Sequence, residues 1–167
     1  MGSLLRGVSR MHWAELRHSQ GETAASVPSL LSRIVYGGED AARQAADDLG
    51  ECVCGLGFVV GEATAPAVPF LLELAGTPHV PCKTELLELL ENIGRADVWH
   101  ASASTARNTK HSPSYREQLG WEAASRATVL TGRPVVERLA SSVRPEEAEP
   151  ARKLLRAMDE VPPFSAV

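Results

Sequence analysis

Val27-Pro28-Ser29-Leu30-Leu31 and Val68-Pro69-Phe70-Leu71-Leu72 are near copies, 41 positions apart. A weaker third copy is Arg133-Pro134-Val135-Val136, its proline 65 positions beyond that of the second. With each proline taken as zero, position +21 is Leu49, Leu90 and Leu155, and position +24 is Cys52, Ile93 and Met158. Three coincidences at fixed offsets mark an internal repeat, and a period near 40 residues belongs to stacked helix pairs.

Each unit reads as two helices. Proline suits a first helical turn, where its missing donor and preset φ cost nothing. Leucines then recur at helical spacing until Gly37-Gly38, Gly76-Thr77-Pro78 and Ser141-Ser142 break the run. Second helices are predicted over 39–53, 81–93 and 145–159, the last opened by Pro145-Glu146-Glu147 with carboxylates at the positive end of the helix dipole.

Outside the units the pattern changes. Residues 96–114 have no apolar period and are predicted to be a long loop. From Ser114 to Thr131 a helix returns, its predicted stripe being Tyr115, Leu119, Ala123, Ala127 and Leu130. Met11 to Arg17 reads as a short helix carrying Trp13 and Leu16, and Gly55 to Gly61, enclosing Phe58-Val59-Val60, as an apolar connector or the start of the next helix. The composition agrees: alanine and leucine fill about 25% of positions, only two isoleucines occur and aromatics are 5%, a profile of packed helices rather than sheets.

The stretch Glu62-Ala63-Thr64-Ala65-Pro66-Ala67-Val68-Pro69-Phe70-Leu71-Leu72-Glu73-Leu74 resembles a signature of HEAT-repeat-containing proteins of actinobacteria. Tyr115-Arg116-Glu117-Gln118, Trp121, Gly132-Arg133-Pro134-Val135, Trp13, and Gly21 ahead of Val27-Pro28 are similar to that family as well. The likeness covers nearly the whole chain. Relatives carry a His-Gln pair where Leu56-Gly57 stand here, so the role of that pair does not transfer. The resemblance implies one all-α domain over 1–167: a short armadillo-like solenoid of about three HEAT-like pairs (24–54, 63–94, 132–160), an insertion at 95–131, and extra N-terminal and 115–130 helices. It also implies a protein that binds another protein.

Helical geometry separates two faces of the second helices. Ala45, Leu49, Cys52, Leu86, Leu90, Ile93, Ala151, Leu155 and Met158 form the predicted core face. Asp47, Gly50, Glu51, Glu88, Glu91, Asn92, Lys153, Arg156 and Ala157 lie opposite. In a solenoid that second set lines the concave surface. The candidate protein-binding residues are therefore Asp47, Glu51, Glu88, Glu91, Lys153 and Arg156, with Trp99 and His100 as a candidate loop contact.

The net charge of −4 is uneven: +2 over 1–38, −8 over 39–94, +3 over 95–133 and −1 over 134–167. An acidic middle suits a basic protein partner and opposes nucleic acid, whose backbone calls for a cationic surface. No apolar run reaches the roughly 20 residues of a membrane span, so no membrane partner is expected. Cys52, Cys54 and Cys82 are an odd set without a secreted-scaffold spacing, read as reduced thiols in a cytoplasmic protein.

Enzyme-like motifs are weak. Cys52-x-Cys54 has no second close pair to complete a tetrahedral metal set, and His79 with Cys82 falls among prolines. His12, His18, His79, His100 and His111 supply bases without a nucleophile motif beside them. Gly55-x-Gly57 does not make a phosphate loop. The reading is a non-catalytic binding module without cofactor or metal, in an immunity or antitoxin-like form or as an accessory subunit. The alternative is a HEAT-like enzyme or cofactor-handling protein of the bilin-lyase or alkylpurine-DNA-glycosylase kind.

Overall fold

A computed structural model describes residues 4–19, 21–105 and 113–160. Its α-helices are α1 (Val27–Tyr36), α2 (Glu39–Val53), α3 (Thr64–Ala75), α4 (Lys83–Arg95), α5 (Val98–Thr105), α6 (Pro113–Leu130), α7 (Arg133–Ala140) and α8 (Pro145–Asp159). Two-residue strands β1 (Cys54–Gly55) and β2 (Val59–Val60) pair antiparallel between α2 and α3. The protein is mostly helical, and no helix among the described residues is long and apolar enough to cross a membrane.

Helices α1 and α2, α3 and α4, and α7 and α8 pack as pairs. The second members are neighbours in turn, α2 beside α4 and α4 beside α8, while α6 packs on α3 and α4. Between them runs one apolar core. Leu31 and Ile34 of α1, Leu49 of α2, Leu71 and Leu74 of α3, Leu86, Leu90 and Ile93 of α4 and Leu154 of α8 are all fully buried. Burial of such a face, rather than helix propensity, is what holds helices of this length.

Several expectations are corrected. Pro28 and Pro134 do stand in first turns, but α3 begins at Thr64, so Pro69 is interior. Thr64 donates its hydroxyl to the Val53 carbonyl (2.5 Å) and accepts from the Gly61 N–H (2.9 Å), which fixes that earlier start. Pro69 is exposed, so the bond it cannot donate is lost on the wet side of the helix. In α8 the buried position is Leu154, with Leu155 half-buried, and Ala157 faces inward rather than outward. Cys52 is only half-buried. The Met11–Arg17 stretch forms a 3-10 turn at Trp13–Glu15, preceded by another at Val8–Arg10, not an α-helix. Trp13 is nonetheless an anchor: its ring meets Phe70 at 6.2 Å and its indole N–H donates to the Val8 carbonyl at 2.8 Å.

The predicted connector at 55–61 is a tight hairpin, as β-branched Val59-Val60 favour a paired strand. Its last residue has to be glycine. A Cβ on Gly61 would lie 2.7 Å from the backbone carbon of His18, where the N-terminal segment crosses.

The largest difference lies at 95–131. Residues 98–105 are helix α5 rather than loop; 106–112, with His111, lie outside the described residues. On α6 the predicted stripe is wrong. Leu119 is only half-buried and Ala123, Ala127 and Leu130 are exposed, while the side chain of Tyr115 lies outside the described ones. The buried side carries Glu122, Ser125, Arg126 and Val129. Three of these four are polar, so an apolar period could not find them.

Candidate functional site

Between α2 and α4 lies an open cleft of about 350 Å³. Asp47, Asp48 and Glu51 enter it from α2, and Glu85 and Glu88 from α4. Ala46, Gly50 and Leu89 also line it, and Cys54, Gly57 and Asn92 border it where the β-hairpin turns. Leu86 and Leu90 of α4 point into the core, and the 100° step along the helix then turns Glu88 outward. The same arithmetic on α2 buries Ala45 and Leu49 and presents Asp47 and Glu51.

Its cations are few. Arg43 sits 3.4 Å from Glu85 and 3.4 Å from Glu39. Gln44 donates to Asp48 at 3.1 Å. Among the described residues, Asp47 and Glu88 have no cation within ion-pair distance. Carboxylates crowded in this way repel one another, and a cationic guest relieves that repulsion. Beside the acidic walls, Leu56 and Phe58 flank Gly57 and are exposed, 75% and 48%. Leu56 sits at φ 57°, a left-handed conformation that leaves it on the outside of the turn.

Of the residues singled out from sequence, the structure gathers Asp47, Glu51 and Glu88. Glu91 does not join them: Arg95 holds it at 2.9 Å and also reaches Glu160 of the segment after α8 at 2.6 Å. Lys153 and Arg156 are exposed on α8 but do not line the α2/α4 cleft. Trp99 is half-buried and His100 buried, so neither is the exposed loop contact expected. His100 Nδ1 lies 2.7 Å from Glu122 Oε1, and the Glu122 carboxylate also accepts the backbone N–H groups of Trp99 (2.9 Å) and His100 (3.0 Å). That carboxylate is a cap on the first turn of α5, placed where the helix dipole favours it.

The thiols are not activated. Burial pushes Cys54 up to about 12 and raises Cys52 and Cys82 as well, the opposite of what a nucleophilic thiolate needs. Among the described residues no three His, Cys, Asp or Glu side chains gather as a metal set.

Sequence reasoning missed Asp48 and Glu85 in the acidic cleft because they fell outside the chosen offsets. It also missed a second, larger cleft around Lys83, Arg138 and Arg144. Lys83 belongs to α4, Arg138 to α7 and Arg144 to the turn before α8, and no local pattern joins them. No protein-family model matches the chain, and no curated protein or solved structure is significantly similar to it.

Proposed function

We propose that this chain is a non-catalytic protein-binding module, a short HEAT-like stack that receives a basic protein segment in the α2/α4 cleft. The observation that carries the proposal is the convergence of Asp47, Asp48, Glu51, Glu85 and Glu88 on one open cleft with Asp47 and Glu88 unmatched by cations among the described residues. Exposed Leu56 and Phe58 beside it offer apolar contact next to the charge, the mixture that a cationic amphipathic segment would bury. An immunity-like role fits the same surface, since a row of carboxylates imitates the phosphate charge that a basic nuclease binds. The acidic cleft is the reverse of the cationic groove that glycosylase chemistry on DNA requires.

Titration with a deca-arginine peptide tests the recognition. Binding should weaken as salt rises, because exposed charges are screened beyond about 10 Å at 0.1 M. Asp47→Lys/Glu88→Lys should weaken it at least roughly tenfold, about 1.4 kcal/mol. The charge-matched control Glu117→Lys/Glu149→Lys, at exposed positions away from the cleft, should weaken it far less. Equal losses in the two double variants would reduce the effect to net charge and overturn the reading.

A further inference from the structure

A cleft of about 500 Å³ opens where the α3–α4 turn meets the α7–α8 turn. Its walls are Ala75, Pro78 and Leu139 on the apolar side and Lys83, Arg138, Ser142, Arg144 and Glu147 on the polar side. Three cations thus face a single carboxylate.

Lys83 is the unusual member. It is the first residue of α4, yet the residue is only 7% exposed. The ammonium group donates to the carbonyl of Leu74 at 2.8 Å and to that of Thr77, at the C-terminal end of α3. Those two bonds account for two of its three N–H groups. Arg138 donates to the Gly76 carbonyl at 3.1 Å, which leaves most of its donors uncommitted to protein. Arg144 is largely solvent-facing, 4.0 Å from Glu147. The Glu147 carboxylate is already engaged, accepting the Ser142 hydroxyl at 2.7 Å.

We infer that this cleft binds a small molecule through an oxyanion, a phosphate or a carboxylate, held by Lys83, Arg138 and Arg144 with the organic part against Leu139 and Pro78. Arginine forks suit either oxyanion, and a buried ammonium supplies a point charge beside them. The volume lies within the range of small-molecule sites. This inference is independent of the acidic cleft, which lies on the other face of α4 residues and uses different side chains.

The site has a pH signature. Burial pushes Lys83 down to about 8; Glu147 opposes the shift, and Arg138 and Arg144 add to it. The neighbouring cleft, which Lys83 also lines, carries Glu39, Arg43, Glu85, Glu146 and the Cys82 thiol. A bound oxyanion would outweigh the two arginines and favour the charged amine. Binding above pH 8 therefore takes up a proton, and affinity falls as the free amine loses its charge.

The test is an NMR titration of the full chain with phenyl phosphate, benzoate and uncharged benzyl alcohol. At least one of the two anions should produce saturable shifts at the amides of Gly76, Thr77, Ser142 and Arg144, and benzyl alcohol should not. The tighter of the two anions assigns the class, phosphate or carboxylate. Arg138→Gln/Arg144→Gln should weaken binding at least roughly tenfold, and well-dispersed spectra of that variant show whether the fold survives. From pH 7 to pH 9 affinity should fall about tenfold, as expected when the charged form of one group titrating near 8 is required. Lys83→Arg, which does not titrate there, should flatten that dependence. The inference fails if neither anion shifts those amides, if benzyl alcohol shifts them equally, or if a folded Arg138→Gln/Arg144→Gln variant binds as the wild type does. It fails equally if the affinity is the same at pH 7 and pH 9.

Discussion

Nδ1 of His100 lies 2.7 Å from Oε1 of Glu122, and both side chains are buried. The two belong to different helices, α5 and α6, and the contact does more than pair two groups. The same carboxylate accepts the N–H groups of Trp99 and His100, so one side chain of α6 starts α5. Burial pushes the Glu122 carboxyl up, while those three bonds pull it back toward the charged form.

Glu122→Ala should therefore cost roughly 3 kcal/mol, because it leaves a buried ring and two backbone donors without their acceptor. Glu122→Gln keeps an acceptor oxygen and should cost less. Denaturant melts measure both losses, and amide exchange at Trp99 and His100 should accelerate in the Ala variant beyond the global change. Unchanged exchange at those two amides would mean that Glu122 does not hold α5.

Leu90→Ala removes a fully buried side chain from the middle pair and should cost roughly 2–5 kcal/mol. Because α4 touches both α2 and α8, the whole chain should lose stability in one transition rather than one pair alone. In α8, Leu154→Ala should cost more than Leu155→Ala, since only Leu154 is fully buried. A larger loss at Leu155 would contradict the observed face of that helix.

Stability should depend on pH through Lys83. Its amine titrates near 10.4 in an unfolded chain and about 8 in the fold. Between those values the unfolded chain holds a proton that the native protein has shed, so this group makes stability rise with pH. Below pH 8 both states are charged and the fold bears the desolvation cost in full. The denaturant midpoint of wild type relative to Lys83→Met should climb from pH 8 to pH 10.4, with other titrations cancelling in the difference. A flat difference would show that Lys83 titrates at its ordinary value.

Three parts of the fold were legible because their causes are local. Glu39 to Val53 alternates alanine and leucine on one side with Asp47, Asp48 and Glu51 on another, and that period is a helix whatever surrounds it. Pro145-Glu146-Glu147 marks a helix start by backbone and dipole alone. The acidic face of α2 and α4 followed, since the residues opposite a buried stripe have nowhere to go but outward.

What the sequence by itself determined, then, is that α1, α2, α4, α7 and α8 are helices, which residues of α2 and α4 are largely core, and where negative charge collects. Only the tertiary structure decided the partners of polar groups that are satisfied by distant backbone. Arg126 donates to the carbonyls of Gly94 (2.8 Å), Ala157 (3.3 Å) and Glu160 (2.7 Å), closing the ends of α4 and α8 from a third helix. In sequence it is an arginine on a solvent face; in the fold it is buried and supplies donors to carbonyls at the ends of two other helices. Glu122 and Lys83 follow the same rule. A helix end leaves donors or acceptors that chain periodicity does not record, and which side chain reaches them depends on which elements come to lie side by side.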